Sequence, residues 1–243
     1  MTTKKKIGIF ALLFLLIAFS GFVAWANNAM AAQAMAIDAM KGTQTVRVDQ
    51  DHLMIVFTPL GQIHQGLIFY PGAKVDPQAY APLAAELAKE EILTVIVPMP
   101  LNLAILGSNK ALAVMEKYPE VSRWAISGHS LGGAMACKFV SDHPGKVESL
   151  ILLGAYTTSN WDLSLANLSV LSVSASNDGL STPEKVDKNR EFLPSDTVFF
   201  EIEGGNHAQF GDYGEQIGDG KAEISGSEQL DITVTQILTF LEG

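Results

Sequence analysis

The chain alternates between short apolar runs and stretches with helical spacing, and this alternation predicts its fold class. Continuous apolar runs such as residues 66–70 (GLIFY) and 92–97 (ILTVIV) are typical of strands buried on both faces of a sheet. Residues 77–90 instead place apolar side chains three and four positions apart, as an amphipathic helix does. Strands that alternate with helices indicate parallel βαβ units, with helices on both faces of one sheet.

The full pattern predicts eight strands and five helices in residues 43–243. We expect strands over residues 43–48, 52–58, 66–70, 92–97, 124–127, 147–153, 169–174 and 197–202, and helices over 77–90, 108–118, 131–141, 183–192 and 228–241. No helix separates the first two strands, which predicts an antiparallel N-terminal edge on a mostly parallel sheet. The segment between the strands near 150 and 170 is too short for a helical cap domain.

The N-terminus has a different pattern. Lys4, Lys5 and Lys6 precede residues 7–26, which carry no charge and are long enough to cross a bilayer as a helix. Lysines on that side favour a cytoplasmic N-terminus and an exported domain, so we expect a single-pass cell-membrane protein with an extracytoplasmic domain. The alternative is secretion after cleavage near Ala26. Residues 1–26 are therefore the anchor or signal segment, and residues 27–42 a helical stalk.

Charge and composition limit the classes of partner and cofactor that the chain can bind. The chain has 243 residues and a net charge of -10, and residues 1–26 hold three lysines and no acid. A body this acidic repels phosphate backbones, which argues against nucleic-acid binding, and leaves membrane contact to the N-terminal helix. The one cysteine, Cys137, excludes an intrachain disulfide, and no Cys/His cluster has zinc spacing. We expect no cofactor and no metal.

The strongest local motif is G-x-S-x-G over residues 128–132 (GHSLG). An apolar strand runs directly into it and a helical pattern runs directly out, which is the setting of a nucleophile elbow. Such a turn strains the serine backbone, and bulky neighbours would clash with the adjoining strand and helix. Gly128 and Gly132 remove those side chains, so Ser130 is the predicted nucleophile.

A serine hydroxyl needs a base to take its proton, and an acid to orient that base. His207 fits as the base because it follows a late strand through a short loop. The other histidines fit less well by position: His52, His64, His129 and His143. Asp178 is the predicted acid, since it follows the strand at 169–174 and gives the chain order Ser, Asp, His. Asp162 is the runner-up acid.

A tetrahedral intermediate also needs two backbone N–H donors. One should be Leu131, directly after the nucleophile. The other should come from the loop after the third strand, residues 70–74 (YPGAK), and we assign it to Ala73. Lys74 either meets a substrate carboxylate or is solvated.

Four motifs together carry a resemblance: YPGAKV, GHSLGG, SASNDG and GGNH. They resemble the α/β-hydrolase superfamily, and are most similar to small lidless members of the dienelactone hydrolase type and to membrane-anchored bacterial hydrolases grouped with them. The resemblance spans roughly residues 43–243 and implies a cofactor-free acyl-enzyme mechanism with Ser130, His207 and Asp178. Two departures stand out. Dienelactone hydrolases use a cysteine nucleophile, and the usual His-Gly oxyanion motif is replaced by Tyr70-Pro71-Gly72.

We therefore expect a serine hydrolase that cleaves carboxylic esters of small-molecule acyl substrates. A thioesterase, acyltransferase or peptidase with the same triad, or a non-catalytic envelope binding module, are the alternatives. Residues 98–103 lie where ligands of such sheets bind. Residues 208–226 form a long polar loop after the base, which either walls the site or is a mobile surface loop.

Overall fold

The structure, a computed structural model, describes residues 3–63 and 65–242, apart from the side chains of residues 3–9 and 11. Its eight strands are β1 Val46–Gln50, β2 Ile55–Pro59, β3 Gln65–Tyr70, β4 Ile92–Ile96, β5 Trp124–His129, β6 Ser149–Leu153, β7 Ser169–Ala175 and β8 Val198–Ile202. Its α-helices are α1 Thr3–Asn27, α2 Ala34–Ala39, α3 Ala81–Lys89, α4 Ala111–Lys117, α5 Leu131–Asp142, α6 Pro183–Lys188 and α7 Gly226–Glu242. His64, one of the histidines set aside above, lies outside the described residues.

All eight strands form one sheet in the order β1-β2-β4-β3-β5-β6-β7-β8. The pairs β1·β2 and β2·β4 are antiparallel, and the remaining pairs are parallel. The described residues between β6 and β7 hold only the single 3-10 turn Ser159–Trp161, which is no cap domain. The predicted fold class is therefore confirmed: a mostly parallel sheet with an antiparallel N-terminal edge.

Helices cover both faces of the sheet because successive strand residues point to opposite sides. In β3, Leu67 and Phe69 pack into one apolar core with α3 and α7. Ile68 and Tyr70 pack into the other core with α4 and α5. Because β3 to β8 run parallel, their carboxyl ends all lie at one edge of the sheet, between the two helical layers. This edge carries the loops that follow β3, β5, β7 and β8.

Short side chains move the start of the first two strands from their predicted positions. The Thr43 hydroxyl accepts the N–H of Thr45 and of Val46, at 3.1 and 3.0 Å, so a turn replaces the first predicted strand residues. Asp51 does the same for Leu53 and Met54, at 2.7 and 2.8 Å. Side chains of these types compete with ladder hydrogen bonds, and alternation alone does not reveal when they win.

The helix predicted over residues 108–118 also starts late. It begins at Ala111, with Lys110 and not Ser108 as its N-cap, three residues after the predicted start. The carbonyl of Ser108 instead accepts the Tyr70 hydroxyl at 2.7 Å, and the same hydroxyl accepts the N–H of Ala111 at 2.9 Å. Tyr70 thus supplies the partner that a serine cap would have supplied.

Residues 28–42, predicted as part of a stalk, lie against the domain and are α-helical only over Ala34–Ala39. Met30 bridges to Val75: its N–H donates to the Lys74 carbonyl at 2.7 Å, and its carbonyl accepts the Asp76 N–H at 2.9 Å. Asp212 accepts the Ala36 N–H at 2.8 Å through its carboxylate. These bonds require extended backbone around Met30, which interrupts the helix.

The preceding helix α1 ends beside the same loops. The Ala26 carbonyl accepts a hydrogen bond from the Asn102 side-chain amide at 3.2 Å, and Ala26 itself is fully buried. In the part of the chain that the structure describes, no helix combines the length and the continuous apolar content that spanning a bilayer requires. The predicted anchor includes residues 7–9 and 11, whose side chains lie outside the description.

Candidate active site

Ser130 occupies a strained turn between β5 and α5. Its backbone has φ 54° and ψ -124°, a left-handed φ that a non-glycine residue adopts at a cost of about 1–3 kcal/mol. The N–H of Ser130 donates to the Leu153 carbonyl of the neighbouring strand at 3.0 Å, which ties the turn to the sheet. The predicted elbow geometry is therefore present: a half-buried serine between a buried strand and the start of a helix.

Two glycines allow this turn because they lack a Cβ atom, not because their backbone is flexible. A Cβ on Gly128 would lie 2.5 Å from the Gly132 carbonyl carbon. A Cβ on Gly132 would lie 2.0 Å from the Tyr70 carbonyl oxygen and 2.5 Å from that of Pro71. Backbone therefore meets backbone here, and the loop after β3 is pressed against the first turn of α5.

The predicted base and acid meet in a buried hydrogen bond. His207 Nδ1 lies 2.7 Å from Asp178 Oδ2, and both side chains are fully buried. The other oxygen of Asp178 accepts the N–H groups of Leu180 and Ser181 at 2.8 and 2.6 Å, which fixes the carboxylate. A carboxylate acceptor places the imidazole proton on Nδ1 and leaves the Nε2 lone pair free.

Nε2 of His207 is buried and has no hydrogen-bond partner among the described residues. The Ser130 hydroxyl is therefore not bonded to it in this structure. His129, which directly precedes Ser130, packs its ring 4.4 Å from the His207 ring. Links from serine to base are often long in unliganded sites and shorten when substrate binds.

The runner-up acid lies elsewhere. Asp162 is exposed, and its carboxylate accepts the N–H of Ser164 at 2.9 Å. That hydrogen bond lowers the pKa of Asp162 below its usual value. The structure thus pairs His207 with Asp178, and Asp162 closes its own turn.

The two predicted oxyanion donors belong to the segments that Gly132 brings together. Leu131 is the first residue of α5, where an N–H has no partner within its helix. Ala73 lies in the loop after β3. Within the described chain neither N–H donates a hydrogen bond, whereas the adjacent Gly72 N–H donates to the Tyr80 hydroxyl at 2.9 Å.

Sequence reasoning missed Tyr80, which has the spacing of an ordinary core residue in a helix. Because its hydroxyl accepts the Gly72 N–H, its own proton goes to His129 Nδ1 at 2.8 Å. His129 is fully buried, and burial, together with the neighbouring His207, holds its pKa well below the ordinary value. Tyr80 therefore joins the loop after β3 to a neutral histidine beside the base.

A comparison with known protein families assigns the chain to one of them. The sequence model of the alpha/beta hydrolase family matches residues 66–231, more than half of the chain. The chain belongs to the alpha/beta hydrolase family. No protein of curated function matches it significantly in sequence.

Two solved structures share the fold of this alpha/beta hydrolase. A predicted CIB-like hydrolase from Thermoplasma acidophilum superposes with a TM-score of 0.60 at 15% identity, over 79% of this chain and 98% of that one. TT1662 from Thermus thermophilus gives 0.60 at 12% identity, over 82% and 99%. At these identities the likeness extends to the fold alone.

Three residues of loop 208–226 pack against the site of this hydrolase. Phe210 and Tyr213 are buried, with their rings 5.7 and 6.3 Å from the ring of His129. Asp219 accepts the N–H groups of His207 and Ala208 at 3.2 and 2.8 Å. These contacts favour the first of the two predicted alternatives for residues 210–219, a segment that walls the site, over a mobile surface loop.

A cavity of about 620 Å³ lies on the other side of this wall. It is bordered by α3, α7 and the loop, with Tyr80, Leu83, Gln209 and Leu230 among its lining. Neither Ser130 nor His207 lines it, so we do not assign it to the substrate.

Residues 98–103 and Lys74 brace the loop after β3. The Lys74 N–H donates to the Asn102 carbonyl at 2.8 Å, and its ammonium lies 4.2 Å from the centre of the Trp25 ring. Lys74 and Asn102 both have left-handed φ, 58° and 54°. The Lys74 ammonium therefore has a ring partner in α1, a contact that neither role considered from sequence included.

Proposed function

We propose that this hydrolase cleaves carboxylic esters through an acyl-enzyme intermediate, with Ser130 as nucleophile, His207 as base and Asp178 as its partner. One observation carries the proposal. His207 is hydrogen-bonded to Asp178 through Nδ1 and keeps Nε2 unpaired, directly beside a strained serine elbow. A buried polar atom without a partner is costly, and a proton acceptor held ready for a hydroxyl accounts for it.

The first half-reaction transfers the acyl group. Ser130 Oγ bonds to the ester carbonyl carbon while its proton passes to His207 Nε2. The carbonyl oxygen becomes an oxyanion, which the N–H groups of Leu131 and Ala73 stabilise. The carbon–oxygen bond to the alcohol then breaks, the alcohol oxygen takes the proton from Nε2, and the acyl group stays on Ser130.

The second half-reaction returns the enzyme. Water gives its proton to His207 Nε2 as its oxygen attacks the acyl carbon. The tetrahedral intermediate collapses, the bond to Ser130 Oγ breaks, and Oγ recovers the proton. Asp178 keeps the imidazole in one tautomer and stabilises its charged form throughout, without itself being protonated.

Hydrolysis of p-nitrophenyl acetate by the full chain tests the proposal. Ser130→Ala should remove turnover. Ser127→Ala is a matched control, because the Ser127 hydroxyl is buried in β5 and has no hydrogen-bond partner in the described part of the chain. Its loss should leave turnover intact. Turnover that survives Ser130→Ala would overturn Ser130 as the nucleophile. No turnover of any ester by the unmodified chain would overturn the ester hydrolase and leave another acyl substrate class or a non-catalytic binding module.

The same triad serves a thioesterase, an acyltransferase or a peptidase, so the acyl acceptor and leaving group need their own experiment. A panel of acyl esters, acyl thioesters and amides, with and without added alcohols, separates them by kcat/KM. We expect the highest kcat/KM for esters with water as acceptor.

The membrane anchor and the extracytoplasmic location stay predictions from the sequence. Their support is the uncharged run over residues 7–26 after three lysines, and the exposed apolar side chains of α1 such as Phe14 and Ile17. Cell fractionation of the full chain and of a form without residues 1–24 tests them. Both forms in the soluble fraction would overturn the anchor.

A further inference from the structure

We propose that Asp219 is a positioning residue for the base, and that it holds the main chain on which His207 and Asp178 meet. The inference rests on the proposed serine hydrolase reaction and adds a residue to it. Asp219 lies twelve positions after His207, in a loop whose polar sequence gave no sign of such a role.

The Asp219 carboxylate joins the two loops that carry the acid and the base. Its Oδ1 accepts the N–H of Gly179, directly after Asp178, at 3.0 Å, and the N–H of His207 at 3.2 Å. Its Oδ2 accepts the N–H of Ala208 at 2.8 Å. One side chain therefore fixes the backbone on both sides of the bond between His207 and Asp178.

Among the described residues, no lysine or arginine lies within ion-pair distance of Asp219, so its acceptors serve backbone N–H groups, including that of Gly220 at 2.8 Å. Hydrogen bonds to an ionised acceptor are roughly twice as strong as neutral ones. The Asp219 carboxylate therefore stabilises the positions of the main-chain N–H groups around it.

The backbone around Asp219 is also closely packed against the acid loop. A Cβ on Gly220 would lie 2.0 Å from the Asn177 carbonyl oxygen, and one on Gly179 would lie 2.5 Å from that of Gly218. The acid loop and residues 218–220 are thus in direct backbone contact. Misplacing a catalytic group by about 1 Å can cost about a hundredfold in rate, so this contact and the carboxylate within it set the geometry of the base.

Asp219→Asn tests the role, with Glu215→Gln as the matched control. Both changes remove one negative charge from the same loop, but Glu215 is exposed, and the series of hydrogen bonds that joins the acid and base loops runs through Asp219. Asparagine also turns an N–H group towards the Ala208 N–H. We expect kcat for p-nitrophenyl acetate to fall about tenfold to a hundredfold in Asp219→Asn, with KM within about twofold. Glu215→Gln should change neither value.

Two readouts separate positioning from simple stability. The low-field ¹H NMR resonance of the His207 Nδ1 proton should shift or broaden in Asp219→Asn and stay in place in Glu215→Gln. A purely structural role would lower the unfolding temperature while kcat per folded molecule and this resonance stayed unchanged. Either unchanged value in a folded Asp219→Asn chain would overturn the proposal.

A measurement on the unmodified chain covers the case in which Asp219→Asn does not fold. The Ala208 amide should exchange its hydrogen slowly, because it is bonded to Oδ2. Exchange at the rate of an open loop would overturn the role of Asp219. The exchange rate and the Nδ1 resonance need no turnover, so they are independent of whether the proposed ester hydrolysis is correct.

Discussion

The serine elbow and the base loop lie side by side, yet different forces hold them. At the elbow, Gly128 and Gly132 let backbone pack on backbone, and steric contact leaves Ser130 one strained conformation. At the base loop, close backbone packing at Gly179 and Gly220 is joined by hydrogen bonds to a side chain, the Asp219 carboxylate, which the elbow lacks among its described contacts. Steric contact fails when a single methyl group is added, whereas a polar clamp fails when one acceptor is lost.

The two regions meet at His129 and Tyr80. His129 ends the elbow strand and packs on the His207 ring, and Tyr80 joins it to the Gly72 amide. The loop after β3, the elbow and the base loop therefore form one unit. We therefore expect substitutions at the acid and base to lower mainly kcat, and substitutions at the elbow glycines to lower mainly the free energy of unfolding.

The largest effect is expected from the polar side. Asp178→Asn keeps the shape of the site but favours the wrong imidazole tautomer, so kcat should fall about 10⁴-fold, or about 5.5 kcal/mol, with little loss of stability. Asp162→Asn is the control and should leave kcat within about twofold, because Asp162 only closes its own turn. Equal losses in the two variants would contradict the assignment of the acid.

On the steric side, Gly132→Ala should lower the free energy of unfolding by about 3 kcal/mol, because the new Cβ meets the Tyr70 carbonyl at 2.0 Å. Urea denaturation measures it. Gly226→Ala adds the same methyl group where the nearest atom is 4.0 Å away, at the start of α7, and should be neutral or stabilising. A stable Gly132→Ala chain would show that the loop after β3 is not pressed against α5.

Tyr80→Phe breaks the junction between the regions. It leaves the Gly72 N–H and His129 Nδ1 buried without partners, and we expect a loss of about 2 kcal/mol in unfolding free energy. Turnover should also fall, since Gly72 adjoins the proposed donor Ala73. Tyr118→Phe removes a hydroxyl that bonds to nothing in the described chain and should change stability by less than about 0.5 kcal/mol.

The smallest effect concerns pH. Burial lowers the pKa of His129 in the folded chain. Near pH 6.5 the unfolded chain therefore binds a proton at His129, whereas the folded chain leaves this imidazole neutral. Stability should therefore fall as pH drops below that value, by at most about 1.4 kcal/mol per pH unit from this residue. His129→Asn can still accept from Tyr80 and does not titrate, so its curve should be flatter. Parallel curves for the two chains would contradict a neutral buried His129.

The sequence predicts the features that depend on local patterns, such as the strands and the serine elbow, better than those that depend on bonds between distant segments. Period-two and buried strand patterns depend on which residues face the core, so they predicted the sheet and its antiparallel edge. The surroundings of Ser130 were predictable because the glycines, the strand and the helix are contiguous in sequence. The meeting of His207 with Asp178 could be expected because parallel strands end at one edge of the sheet.

Bonds between distant segments could not be predicted in this way. Tyr80 has the apolar spacing of a helix, and nothing in that spacing shows where its hydroxyl points. Asp219 is one of many polar residues in its loop, and only the folded backbone shows that its oxygens face His207 and Ala208. The packing of Met30 on Val75 likewise depends on backbone hydrogen bonds, which leave no pattern in side-chain polarity.

Covalent labelling tests most directly whether the elbow and the base loop act together. The full chain is incubated with a fluorophosphonate probe, and the adduct is counted by intact mass and located by peptide mapping. We predict one adduct, on Ser130, that forms far more slowly in His207→Gln. An adduct on another residue, or labelling of Ser130 at the same rate without the imidazole, would contradict a serine activated by His207.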